Sequence, residues 1–210
     1  MKKWTEKVVI GSVALLAVVA MISGCVVEQQ DDEFERPSDA QDIVGDDILE
    51  RIEEAGQEVY GGSTPPDIEG DYQIRNGEVV FDERWEDHTG NWCDSTRSFS
   101  PTDNPDRYDS DVVLEGSCSG EQRGDALYIS GSGSCFTLYS SESGPFGGCE
   151  RDLIRVISGC LVDDGIEDYS VAQIATDISG DSCQELIDDR NINGVDYLRL
   201  FRTDLARKVE

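Results

Sequence analysis

Between residues 66 and 207 the sequence keeps returning to one motif, a short apolar stretch of alternating character followed by a break. "DYQIRNGEVVF", "DVVLEG", "DALYIS", "CFTLYS", "DLIRVIS", "YSVAQIA" and "DYLRLFR" recur in this way, with Gly, Ser, Asp or Pro clusters between nearly all of them. A two-residue period turns alternate side chains to opposite faces of a strand, so one face enters a core while the other meets water. Stretches this short and this often broken, in a chain with 21 glycines, point to strands rather than helices. The expectation is a mainly β domain over 66–207, an antiparallel β-barrel or sandwich with a single core. Asn76-Gly77, flanked by Tyr72 and Ile74 before and Val79 and Phe81 after, predicts a two-residue hairpin. "SCQELIDD" predicts a short helix near the end of the domain.

The start of the domain reads "IEGDY", with Gly70 two residues before Tyr72, and Arg199 and Arg202 lie on the final predicted strand. This resembles the Gly-x-Trp signature and late arginine of lipocalins, members of the calycin group, with Tyr in place of Trp. The resemblance implies an eight-stranded barrel in preference to a sandwich, and a small apolar ligand inside it.

In front of the sheet the periodicity is helical. Ser38 and Gln41 form a capping-box pattern, and Val44, Ile48, Ile52, Ala55 and Val59 are spaced for one face of an amphipathic helix over 38–61 that Gly61-Gly62 would end. The adjoining domain is the expected cover for that stripe, with a partner helix or a membrane surface as the other candidates, and the strongly acidic polar face argues against the membrane. Residues 25–37 are polar and acidic, with no apolar spacing, and read as a spacer.

The first 24 residues have a different character. Lys2, Lys3 and Lys7 precede an almost wholly apolar run from Val8 to Ile22, too short for the roughly 20 residues that span a bilayer and suited to an export signal. The run closes on Ile22-Ser23-Gly24-Cys25, which resembles the lipobox of bacterial lipoproteins. That resemblance implies cleavage after residue 24, diacylglyceryl modification of Cys25, and acylation of the new amine by chains such as palmitate. Each buried methylene adds about 0.8 kcal/mol, so two or three chains hold a protein at a membrane where one does not. Val26 stands where lipoproteins kept at the inner membrane carry Asp, so the resemblance favours the outer membrane.

The chain has one histidine, seven cysteines and a formal net charge of −28. Residues 1–24 contribute +2, from three lysines against Glu6, which leaves −30 for the remainder, whose only lysine is Lys208. Phosphate-rich partners bind through Lys and Arg, so nucleic acid and anionic head groups are excluded. Abundant Asp with scarce Lys suits a solvated surface in salty surroundings, where screening relieves self-repulsion.

With Cys25 lipidated, six cysteines remain: Cys93, Cys118, Cys135, Cys149, Cys160 and Cys183. None forms a CxxC pair of the kind that supplies zinc knuckles, and in an exported chain they predict three disulfides whose pairing is open among 15 combinations. "DRNINGVD" resembles the start of an EF-hand or dockerin loop, which implies Ca2+ ligands at Asp189, Asn191, Asn193 and the carbonyl of Val195. Leu200 replaces the bidentate acid at the twelfth position, and a plain turn at Asn193-Gly194 accounts for the same residues. There is no G-x-S-x-G, and His88 lies alone in "RWEDHTGNW", so nucleophilic hydrolysis has no machinery in the sequence.

The leading expectation is therefore a lipid-anchored envelope protein, a binding or structural module without enzymatic activity or a required cofactor. Its partners would be the membrane, through the N-terminal lipid, and a small apolar ligand or another envelope protein. The alternatives are a calcium-dependent adhesion module and a glycan hydrolase working through paired carboxylates.

Overall fold

The computed structural model describes residues 38–209, apart from residue 89 and residues 117–119. The predicted signal segment 1–24, the lipidation site Cys25, the spacer to residue 37, and Cys118 lie outside the described residues. In chain order the elements are α1 (Ser38–Ile43), α2 (Asp46–Glu54), β1 (Ser63–Thr64), β2 (Gly70–Ile74), β3 (Glu78–Asp82), β4 (Ser95–Pro101), β5 (Arg107–Leu114), β6 (Gly120–Ser132), β7 (Cys135–Phe146), β8 (Cys149–Val162), β9 (Gly165–Ser179), α3 (Cys183–Asp188) and β10 (Leu198–Lys208).

Strands β2, β4, β5, β6, β7, β8, β9 and β10 pair with one another in a ring, in the order β6-β5-β4-β2-β10-β9-β8-β7, and β7 returns to β6. All eight pairings are antiparallel. The fold is thus a closed eight-stranded barrel and not a sandwich. Alternation along β5 is complete, with Tyr108, Ser110, Val112 and Leu114 buried and the residues between them more exposed.

Asn76-Gly77 does not make the predicted hairpin. Both β2 and β3 run antiparallel to β10, in one register from Lys208 facing Tyr72 to Phe201 facing Val79 and, past a one-residue bulge, on to Arg199 facing Asp82. The two are one strand, interrupted but not reversed. A type I′ turn needs positive φ at both central residues, and here Asn76 has φ 53° while Gly77 is not in that region. The Thr203 hydroxyl donates to the Arg75 carbonyl across the gap. The reversal comes later, where Val79 N–H donates to Gly90 O, Trp92 N–H to Gly77 O, and Glu78 bridges Asn91.

The predicted helix is two helices. Gly45, extended at φ −62° and ψ 160°, separates α1 from α2, and the helical stretch ends at Glu54 rather than near residue 61. The apolar stripe is placed as expected. Val44 and Ile52 are fully buried, Ile48, Ala55 and Val59 partly so, and they pack on Tyr139, Val156, Ala172, Ile174, Leu198 and Leu200 from the outer face of the barrel. Gln57 fixes the outgoing segment, its side-chain amide donating to Val156 O and Ser158 Oγ.

Inside, the half of the barrel near the β6–β7 and β8–β9 turns is filled by Tyr72, Phe99, Tyr108, Leu127, Phe136, Leu138, Ile157 and Ile166 with their neighbours. Tyr72 donates its hydroxyl to Ile68 O. Arg199 lies toward the far end of β10 from Lys208, the residue facing Tyr72, and Arg202 reaches out to Gly56 O. Two disulfides join Cys135 to Cys160 across β7 and β8, and Cys149 to Cys183, which fastens α3 to the start of β8. Cys93 is also disulfide-bonded.

Candidate functional site

Half-way up the barrel the filling changes from apolar to ionic. Alternation along "ERDLIRVISG" puts Arg151 and Arg155 on the same inward face as Leu153 and Ile157, all four buried. The same rule brings Arg97 of β4, Gln122 of β6, Glu142 of β7 and Gln173 of β9 inside. Gly124 opens the space that Glu142 fills, since a Cβ there would lie 2.7 Å from the Glu142 Cγ.

Glu142 is the hub. Its Oε1 accepts from Arg97 Nη1 at 2.7 Å and from Ser140 Oγ at 3.1 Å, and its Oε2 accepts from Arg155 Nη1. Arg97 Nη1 also donates to Ser110 Oγ at 3.1 Å. Arg155 Nη2 donates to Gln122 Oε1 and, at 3.3 Å, to Gln173 Oε1. Burial by itself would raise the Glu142 pKa; the charges of Arg155 and Arg97 reverse that and hold it down at about 2. A carboxyl held this low stays ionised and is no general acid near neutrality.

Above this layer the barrel is open. A cavity of about 330 Å³ is walled by Val79, Leu114, Gln122, Arg151, Arg155, Gln173, Arg199 and Phe201 from the strands, and rimmed by His88, Trp92, Phe146, Asp189 and Arg190 from the loops and strand ends. That size is at the lower end of the range for small-molecule sites. Apolar groups supply one side of the wall, and Trp92 stacks edge-on against Phe201.

The cationic groups in the cavity wall differ in how they are neutralised. Arg199 is paired with Asp82 at 2.7 Å and also donates to the carbonyls of Asn191 and Arg190. Arg190 reaches Asp87 at 3.1 Å, which links the two long rim loops. Among the described residues the Arg151 side chain has neither an ion pair nor a hydrogen bond; its guanidinium lies 4.6 Å from the centre of the Phe146 ring, and the residue is only 5% exposed. Burial, and then the charges of Arg155 and Arg199, push its pKa down to about 9. Burial, followed by Arg199, also lowers His88, which is therefore neutral at pH 7.

The residues singled out from the sequence fall mainly on the rim. Asp189 caps the end of α3, exposed, and lines the cavity mouth with Asn191. Asn193 is buried, donates weakly to Tyr197 O at 3.4 Å, and leaves its Oδ1 without a partner. Val195 bridges Ala175 and is exposed. The carbonyls of this loop that face inward are occupied by the Arg199 guanidinium, and among the described residues no three His, Cys, Asp or Glu side chains gather as a metal site. Arg97, Arg151, Arg155, Glu142 and Gln122 were not legible as a site. The available signal was an alternating strand with arginine at two core-facing positions in a chain that has few basic residues.

Protein-family models, curated proteins and solved structures were each compared with the chain, and none of the three gave a match.

Proposed function

We propose that the chain is a binding protein that takes a small molecule into the open end of its barrel, anchored through acylated Cys25 to a bacterial envelope, at the outer rather than the inner membrane. The observation that carries the binding reading is the cavity of about 330 Å³, walled on one side by Val79, Trp92, Leu114 and Phe201 and open past the rim loops. Barrels of eight strands are wide enough to hold one small ligand. The state of the buried carboxylates favours binding over glycan hydrolysis. Asp82 and Glu142 are each tied to arginine, whereas a glycosidase acid must be held protonated.

Uptake of uncharged N-phenyl-1-naphthylamine, which brightens in apolar surroundings, tests this. Saturable one-to-one binding is expected, and Leu114→Trp or Val79→Phe, which fill the cavity, should abolish it while the far-ultraviolet circular dichroism stays unchanged. Equal uptake by both folded variants would place the dye elsewhere and overturn the reading. For the address, Cys25→Ser should eliminate acyl labelling and release the protein from the envelope. Retention of an unlabelled variant would overturn the anchor.

A further inference from the structure

The buried charged side chains among the described residues are four arginines, Arg97, Arg151, Arg155 and Arg199, and two carboxylates, Asp82 and Glu142. Asp82 serves Arg199, and Glu142 is shared by Arg97 and Arg155. Two positive charges are therefore unmatched in the interior of a protein whose net charge is −28. Burying a charge without a partner is costly, and carboxylates are plentiful on this surface, so the imbalance is not a shortage of acids.

The unsatisfied polar atoms that line the cavity are all of one kind. Gln122 Nε2, Arg151 Nε and Arg155 Nε are buried without partners, and all three are donors. The orientation of Gln122 is fixed because its Oε1 accepts from Arg155, which leaves the amide donor for another group. Phe146 lies with its ring centre 4.6 Å from the Arg151 guanidinium, and the buried Nε of that arginine has no acceptor among the described residues. All three side chains line the open cavity.

We propose that the cavity takes an organic anion, its acidic group seated against Arg151 beside Arg155 and Gln122, and its apolar body against Trp92, Phe146 and Phe201. This rests on the barrel being a binding protein, and names the class of molecule it binds. A carboxylate, sulfonate or phosphate oxygen would accept the orphaned donors and neutralise the unmatched guanidinium, an interaction stronger than one between neutral groups. The long-range field of the acidic surface repels anions, so any preference for a charged ligand must arise from these local groups.

The test uses the mature chain with two dyes that differ by one sulfonate, 8-anilino-1-naphthalenesulfonate and uncharged N-phenyl-1-naphthylamine. The sulfonate should bind about tenfold tighter or more. Arg151→Met should remove that preference, read as the ratio of the two affinities, with folding checked by circular dichroism. Decanoate should displace the sulfonate dye, while decanol at equal concentration should not. Equal affinities in the unsubstituted protein, or an undiminished sulfonate preference in a folded Arg151→Met variant, would overturn the anion while leaving the binding reading standing. Displacement by inorganic phosphate but not by decanoate would overturn the organic part. Failure of both dyes to bind would overturn the binding reading itself.

Discussion

The two halves of the barrel interior are built on opposite principles. Toward the β6–β7 turn, Phe136, Leu138, Tyr72, Phe99 and Ile166 meet in a dry, filled core, whereas toward the rim loops four arginines, two glutamines and a few aromatic rings surround open space. The boundary is the layer of Arg97, Glu142 and Arg155, in which both carboxylate oxygens of Glu142 accept from an arginine. The contrast separates stability from recognition. The filled half supplies the apolar burial that closes the barrel, which frees the other half to retain charge that contributes nothing to folding.

The largest loss should follow removal of the boundary itself. Glu142→Gln leaves Arg97 and Arg155 buried without a carboxylate and should destabilise by about 3–5 kcal/mol, measured by urea unfolding. Its pH dependence has a definite sign. The Glu142 pKa is depressed from 4.5 to about 2 in the folded protein, so its contribution is complete above the unfolded value and disappears as the pH falls through that window. The stability gap between the unsubstituted protein and Glu142→Gln should shrink between about pH 4.5 and pH 2; a constant gap would show that Glu142 is not the ionised hub. In the filled half, Leu138→Ala should cost about 2–5 kcal/mol, while Phe146→Ala at the rim should cost distinctly less. Equal losses would erase the distinction between the two halves.

Opening the Cys149–Cys183 bridge, a 34-residue separation, by double substitution to Ala should cost about 2–4 kcal/mol and weaken ligand retention, because it holds α3 beside the rim. Arg151→Met should act in the other direction and raise the stability of the ligand-free protein by roughly 1 kcal/mol, since it replaces an unmatched buried charge by an apolar side chain. A fall in melting temperature would mean that Arg151 has a structural partner. The smallest effect belongs to the exposed Arg123–Asp111 pair, where Asp111→Asn should change stability by no more than about 0.5 kcal/mol.

Much of the filled half could be read from the sequence, because core strands announce themselves by alternation. Tyr108, Val112 and Leu114 do so, although Ser110 faces inward and Val113 outward, and the helix stripe from Val44 to Val59 announces its cover on the outer wall in the same way. The reading failed where a local signal was outvoted by register. Asn76-Gly77 has turn chemistry, but pairing with β10 on both sides holds the chain straight, and one left-handed residue makes an interruption instead of a reversal. Gly45 split a helix whose apolar period runs through it without a gap. The site was harder still. Arg97, Gln122, Glu142 and Arg155 come from four strands, and only closure of the ring brings Arg97 against Glu142, 45 residues away. Nothing local distinguishes such an arginine from one facing solvent until its neighbours in the alternation, Leu153 and Ile157, are seen to be inside.

Ring closure has a consequence beyond its contents. Each of the eight strands of the ring has a hydrogen-bonded neighbour on both sides, so the ring itself leaves no row of amide and carbonyl groups for another chain's backbone to zip onto. However densely copies are packed together, the ring of one offers the next no strand edge on which to extend a shared sheet.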